Sequence, residues 1–418
     1  MVQPVRRAVP GAEVIVVRPK RLLLSALIAS FAILLAAAPD VYAAPKYKIL
    51  HAFGNGQDGA GTWGSLLLDS KGNLYGTTSG GGLYTYGTVF ELIPKSSGKW
   101  SEHILYSFEN NGSDGCVSTA GLIFDTSGNL YGTSQDCGEY GAGAVFELTP
   151  GSGGWTQSVL YSFGSHQNDA FNPYAGVAID RSGNLYGTGH SVYEVARGSG
   201  GWMETVIDDF SRHNDGSGPF AGLILDAKGN LYGTTAGGGT QHLGTVYELL
   251  PKAGGIWKER ILHTFVNHRK DGYLPGSGAL AIDGSGALYG TTVSGGCCDG
   301  TVYRLAQQAN GTWKETILYD FQQGATGYGP GGGVARDKAG NLYGTTIYGG
   351  SPQCGCGVVY KLSPTKNGKW KYTVLHTFLG SDGAQPDANL ILDDKGHLYG
   401  TAATAGPYGA GVVFEVTP

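Results

Sequence analysis

The side chains of this chain that could bind or transform a ligand are mostly aromatic. Trp63, Tyr84, Tyr86, Tyr140, Tyr174, His190, Phe220, His242, Tyr273 and Tyr348 stand in Gly-rich stretches between short apolar runs, in company with Gln135, Asp136, Glu139 and Gln241. Flat rings mixed with carboxylates, amides and imidazoles suit stacking on a sugar face, with polar groups taking its hydroxyls. The plainer alternative is a set of Tyr-rich loops packed on one another. Two residues stand further apart and are the candidates for catalysis. His190, in GTGHSVYEV, lies where one connection is about ten residues shorter than its counterparts, which opens a notch. Arg336 replaces an apolar residue found at Leu68, Phe124, Ile179, Leu225, Ile282 and Leu392. A lone Arg at such a position lines a channel or pairs with an acid, because an unpaired buried charge is costly.

Other chemistry is weakly represented. No H-E-x-x-H, G-x-S-x-G or C-x-x-C-H motif is present. GNGQDG at 54–59 matches G-x-G-x-x-G in form, but it precedes no helix whose N-terminus could hold a phosphate. Neither a metal nor a cofactor is expected. Asp58, Asp114, Asp169, Asp215, Asp271 and Asp382 recur, usually as Asp-Gly. A ring of carboxylates could bind Ca²⁺; the favoured reading is that each Asp accepts backbone hydrogen bonds in its own turn. The six cysteines are even in number and read as disulfides in an exported chain. Cys116 and Cys137 flank one unit and are expected to pair. Cys297, Cys298, Cys354 and Cys356 are expected to cross-link neighbouring units. A Cys₄ zinc site is disfavoured because C-C and C-x-C depart from the usual spacing.

What positions these residues is a repeat. NLYGTT at 73–78 returns as NLYGTS, NLYGTG, NLYGTT, ALYGTT, NLYGTT and HLYGTA, with tyrosines at 75, 131, 186, 232, 289, 343 and 399. A period near 50 residues made of strand signals marks a radial array. In the fourth copy, GLILD, NLYGTT, TVYEL and WKERILHTF read as four strands, A to D, separated by turns. Seven such units predict an all-β, seven-bladed propeller of four-stranded antiparallel blades, with strand A innermost. The last copy ends at Pro418 without a D strand, while KYKILHAF at 46–53 has the D pattern. The N-terminal strand is therefore expected to complete the last blade and leave no unpaired edge. In each copy the Gly-Asn of KGN or SGN supplies the positive φ of the A–B turn. The Tyr ring lies between blades, the following Gly admits a close neighbour, and Trp100, Trp155, Trp202, Trp257, Trp313 and Trp370 cover the rim. Arg304 and Lys361, which replace the Glu of Glu91 and its counterparts, are read as a rebalancing of surface charge.

GNLYGTT, then GTVFEL, then a Trp-led strand ending in Tyr/His-x-Phe, resembles the GloVer (Gloeobacter/Verrucomicrobia-type) tandem repeat of exported "choice-of-anchor" bacterial proteins. The resemblance covers 46–418 and implies a secreted or surface propeller; it carries no activity.

The N-terminus reads as targeting. Arg18, Lys20 and Arg21 precede the apolar run LLLSALIASFAILLAAA at 22–38, and Val41-Tyr42-Ala43 offers a small-x-small cleavage site. Residues 1–43 are read as a signal peptide and 44–418 as a single propeller domain, secreted, periplasmic or held at the cell surface. Beyond residue 43 the chain carries 23 basic and 31 acidic residues with no basic stripe, which argues against nucleic acid. The expectation is a monomeric binding module for carbohydrate or a cell-surface polymer. A polysaccharide hydrolase or lyase in the central funnel and a protein-interaction scaffold are the alternatives.

Overall fold

Each copy of the repeat folds as its residue pattern demands. In the computed structural model the fourth blade comprises Ile224–Leu225, Leu231–Thr235, Thr245–Pro251 and Trp257–Thr264, hydrogen-bonded antiparallel in that order. The second strand, LYGTT, is buried along its whole length because neighbouring sheets cover both its faces. The outer strand alternates between half-buried and exposed residues over Trp257 to Arg260, where one of its faces meets water, and is covered beyond that. Seven blades of this kind form the propeller, and short ribbons such as Gly59–Ala60 with Gly80–Gly81 tie D–A to B–C loops on one face. The structure describes residues 44–418 apart from 113, 213–214, 267–270 and 297–298. The expected signal peptide therefore lies outside the described residues. Pro45–Pro418 form one compact unit.

The ring closes as the repeat predicts. Lys46–Ala52 pairs with Val412–Thr417, from Lys46 opposite Thr417 to Ala52 opposite Val412. Tyr47 anchors this strand: its ring stacks on His376 at 3.7 Å between centroids, and its hydroxyl donates to the Asp382 carbonyl at 2.6 Å.

The core is a set of clusters between blades. Tyr75, Val89 and Phe108 of the first blade pack with Leu122, Leu130, Phe146 and Leu148 of the second. Tyr75 meets Phe124 edge-on at 5.0 Å, while its hydroxyl donates to Glu91 at 2.6 Å and Asp69 at 3.3 Å. A Cβ on Gly76 would crowd Phe90 at 2.5 Å, so this Gly does admit a close ring. In the A–B turn only the Gly takes positive φ, 87° at Gly72. Asn73 contributes differently: its backbone N–H and side-chain amide both donate to Asp69. The tryptophans seal seams between blades, as where Trp100 meets Tyr399 edge-on at 6.3 Å.

A further ring of hydrogen bonds was not anticipated. In six of the seven phrases the first Thr reaches the segment leading into the next blade's inner strand, as with Thr77 to the Ala120 carbonyl at 2.7 Å, Thr188 to Ala221 at 3.0 Å, Thr291 to Gly332 at 2.8 Å, and Thr401 back to Gly64 at 3.2 Å. These buried bonds link blade to blade around the axis, across the closure as well.

Candidate functional site in the central funnel

The residue six places before the Asp of each A–B turn ends the D–A loop at the axis. In the seven copies it is Trp63, Thr119, Tyr174, Phe220, Ser277, Gly331 and Asp387. All but Gly331 line one cavity of about 550 Å³. The scaffold is repeated, but this position is not. Trp63, Tyr174 and Phe220 form an aromatic arc, with Tyr174 and Phe220 edge-on at 4.6 Å and each 39% exposed. Ser277, Asp387 and Asn389 form the polar side.

Blade six is absent from the lining because its inner end is covered. Its sequence there is Gly331-Gly332-Gly333, and the segment Asp387-Ala388-Asn389 lies directly on it. A Cβ on Gly331 would overlap Asp387 Oδ1, and one on Gly332 would stand 2.7 Å from the Ala388 carbonyl oxygen. The Asn389 amide fastens the arrangement. Its Oδ1 accepts from Gly333 N–H at 2.7 Å and its Nδ2 donates to the Ala279 carbonyl at 3.2 Å.

Among the described residues, Asp387 is the one carboxylate lining the cavity, and no Lys, Arg or His lines it. Its Oδ1 is buried and has no hydrogen-bond partner among the described residues. Burial pushes its pKa up. Sequence reasoning had missed Asp387 and Asn389. Aligning the copies on the turn Asp would have exposed them, since Asp appears at this position once in seven.

The other candidates are dispersed. Tyr140 borders a separate recess with Glu139, Tyr161 and Ser165. Tyr84 and Tyr86 are exposed, and Tyr348 pairs with Tyr328 at 5.5 Å. His242 is exposed in a left-handed turn with φ of 59°, whereas Tyr273 packs into an interblade core. The B–C connection at His190 is indeed short, three residues between Leu185–Thr188 and Val192–Gly198. His190 is exposed and stacks on Phe171 at 4.5 Å, outside the funnel.

Arg336 departs from both expectations. It is exposed, lies outside the funnel lining, and makes no ion pair among the described residues. Its guanidinium lies 5.9 Å from the Tyr289 ring, where Phe124 in the second blade meets Tyr75. A cation over an aromatic face thus replaces an aromatic edge at the same seam. Arg304 does more than rebalance charge, because its Nε donates to the Tyr289 hydroxyl at 3.2 Å in place of the Glu that accepts elsewhere. Lys361 likewise sits over Tyr343 at 5.4 Å.

The recurrent aspartates act in their own turns: Gly54 N–H donates to Asp58, Glu109 N–H to Asp114 and Leu379 N–H to Asp382. Some also face a Glu of the next blade. His51, Asp58 and Glu102, and likewise His263, Asp271 and Glu315, place possible ligand atoms within 4.8 Å of one another. Burial, then the Asp58 charge, pushes Glu102 up to about 7.

Cys116 and Cys137 are disulfide-bonded, as expected, and staple the ribbon of Gly115–Cys116 with Asp136–Cys137. Cys354 and Cys356 correct the expectation of a cross-link between blades: they bond to each other within one loop. Cys297 and Cys298 lie outside the described residues.

The model of the Gloeobacter/Verrucomicrobia repeat matches residues 41–199, 103–303 and 257–418, which together span the propeller. The chain belongs to this repeat family. The residues that recur in every copy account for the scaffold: the Tyr and Gly of YGT and the turn Asp are engaged in holding blades. The funnel position, by contrast, varies from copy to copy. No curated protein matches this repeat protein in sequence. Among solved structures it is similar to an ancestral GH74 enzyme, with a TM-score of 0.55 and 12% identity over 90% of this chain and 51% of the other. The chain thus spans about half the length of that enzyme. It is also similar to a luciferin-regenerating enzyme, at a TM-score of 0.42 and 17% identity over 90% and 95% of the two chains. A Dyadobacter fermentans protein of unknown function matches at a TM-score of 0.44 and 10% identity, over 90% and 100%. At these identities the likeness is one of fold alone.

Proposed function

We propose that this protein is an exported binding module that holds a carbohydrate or cell-surface polymer in its central funnel. The observation that carries this is the single repeat position that gives Trp63, Tyr174 and Phe220 on one side of the cavity and Asp387 on the other. Aromatic faces and a few convergent polar groups are what a sugar ring needs, because its C–H face is apolar and its rim is hydroxylated. The Cys116–Cys137 disulfide fits an oxidising compartment. Among the described residues no helix is long and apolar enough to cross a membrane.

The hydrolase reading draws on the fold it shares with the GH74 enzyme. Glycoside hydrolysis most often uses two carboxyl groups flanking the scissile bond, and among the described residues the funnel lining supplies Asp387 alone. Binding is therefore favoured. Incubation with a panel of soluble and insoluble polysaccharides, scored for retention and by mass spectrometry for new oligosaccharides, tests the choice. Retention with intact polymer is expected. New products would overturn binding in favour of catalysis, and silence in both would favour a protein-interaction scaffold.

A further inference from the structure

We propose that the funnel selects a ligand carrying a protonated amine, of which a polymer of de-N-acetylated amino sugar is the carbohydrate form. This rests on the carbohydrate reading above and narrows it. Asp387 borders the cavity with its Oδ1 packed against Gly331 and without a partner among the described residues, and none of these residues brings a basic side chain to the lining to offset the carboxylate. The neighbouring polar groups are already engaged. Both ends of the Asn389 amide are taken by Gly333 and Ala279, and the Ser277 hydroxyl points at the Gly331 carbonyl at 3.5 Å. A hydroxyl donor from a neutral sugar would give this carboxylate a hydrogen bond but leave its charge uncompensated. An ammonium group provides both the hydrogen bond and the counter-charge. The opposite wall favours the same ligand, since the faces of Trp63, Tyr174 and Phe220 attract cations as well as sugar C–H groups. The position is specific to one blade: where Asp387 stands, the other six copies carry Trp, Thr, Tyr, Phe, Ser or Gly.

Titration calorimetry of the purified protein at near-neutral pH against three soluble probes tests this. They are hexameric β-1,4-linked glucosamine, its fully N-acetylated form and cellohexaose. The free-amine hexamer is expected to bind at least tenfold more tightly than the other two. Asp387→Asn, which keeps the shape and removes the charge, is expected to abolish that preference, so that the three probes bind the variant alike. The parent ranking decides the matter even if the variant folds poorly. Equal binding of all three probes, or a preference that survives Asp387→Asn, overturns the charge selection and leaves carbohydrate binding standing. Failure of all three to bind, together with no retention on the polysaccharide panel, overturns both.

Discussion

The side-chain amide of Asn389 in blade seven donates to the carbonyl of Ala279 in blade five, 110 residues away, at 3.2 Å. With its bond to Gly333 of blade six, this covers the inner end of blade six, which does not line the cavity. Asn389→Ala leaves the Gly333 N–H and Ala279 carbonyl without that partner. The expected cost is about 1–3 kcal/mol, read as a lower denaturant midpoint at unchanged slope.

Ring closure depends on Tyr47. Its stacking on His376 and its bond to the Asp382 carbonyl hold the N-terminal strand on the last blade. Tyr47→Ala is expected to destabilise by about 3 kcal/mol, the lower end of the range for removing a large ring, because Tyr47 is only partly buried. Hydrogen exchange should show the loss first in Lys46–Ala52 and Val412–Thr417.

Carboxyl pairs at the seams make stability fall as pH rises. Glu102, Glu204 and Glu259 are each pushed from an ordinary 4.5 up to about 7, by burial first and by a neighbouring Asp second. Because the folded state holds these protons more tightly, their favourable contribution is complete below about 4.5 and lost towards about 7. Glu315, buried beside Asp271, is raised for the same reasons. Glu315→Gln should therefore stabilise the protein at alkaline pH, by about 1 kcal/mol or more, and change little at pH values below the ordinary Glu range. Thermal melts of parent and variant across pH give the comparison. His51 and His376, lowered by burial, act in the opposite sense below their ordinary 6.5, so the difference between variants is the cleaner observable.

The two disulfides should differ in effect. Cys116–Cys137 spans 21 residues and Cys354–Cys356 only 2. The longer closure restricts the unfolded chain more, so Cys137→Ser is expected to cost about 3 kcal/mol. Cys354→Ser should cost only about 1.2–1.6 kcal/mol by the same argument, and paired denaturation curves would show the contrast.

The scaffold was legible in the sequence because each of its features is written repeatedly. NLYGTT fixed the blade count, and KYKILHAF against the missing last strand fixed the closure. The funnel was less legible because repetition hides a single exception. Trp63, Tyr174 and Phe220 were picked out as loop aromatics, but nothing separated them from Tyr84, Tyr140 or His242, which the fold places elsewhere. Arg336 drew notice as a charge in an apolar column, yet a neighbouring Tyr face suffices to accommodate it. Asp387 was overlooked because it follows Pro386 in what reads as an ordinary turn. The pairing of Cys354 with Cys356 had no signal in spacing, since loop path decides it.

The proposed ligand site is the funnel and not the outer loop surface. Its most direct test is the apparent Kd for the best-retained polysaccharide, measured for the parent, Trp63→Ala and Tyr140→Ala. The account predicts a loss of at least tenfold for Trp63→Ala, about 1.4 kcal/mol or more, with Tyr140→Ala indistinguishable from the parent. Unchanged binding in Trp63→Ala with a loss in Tyr140→Ala would contradict it and move the site to the rim.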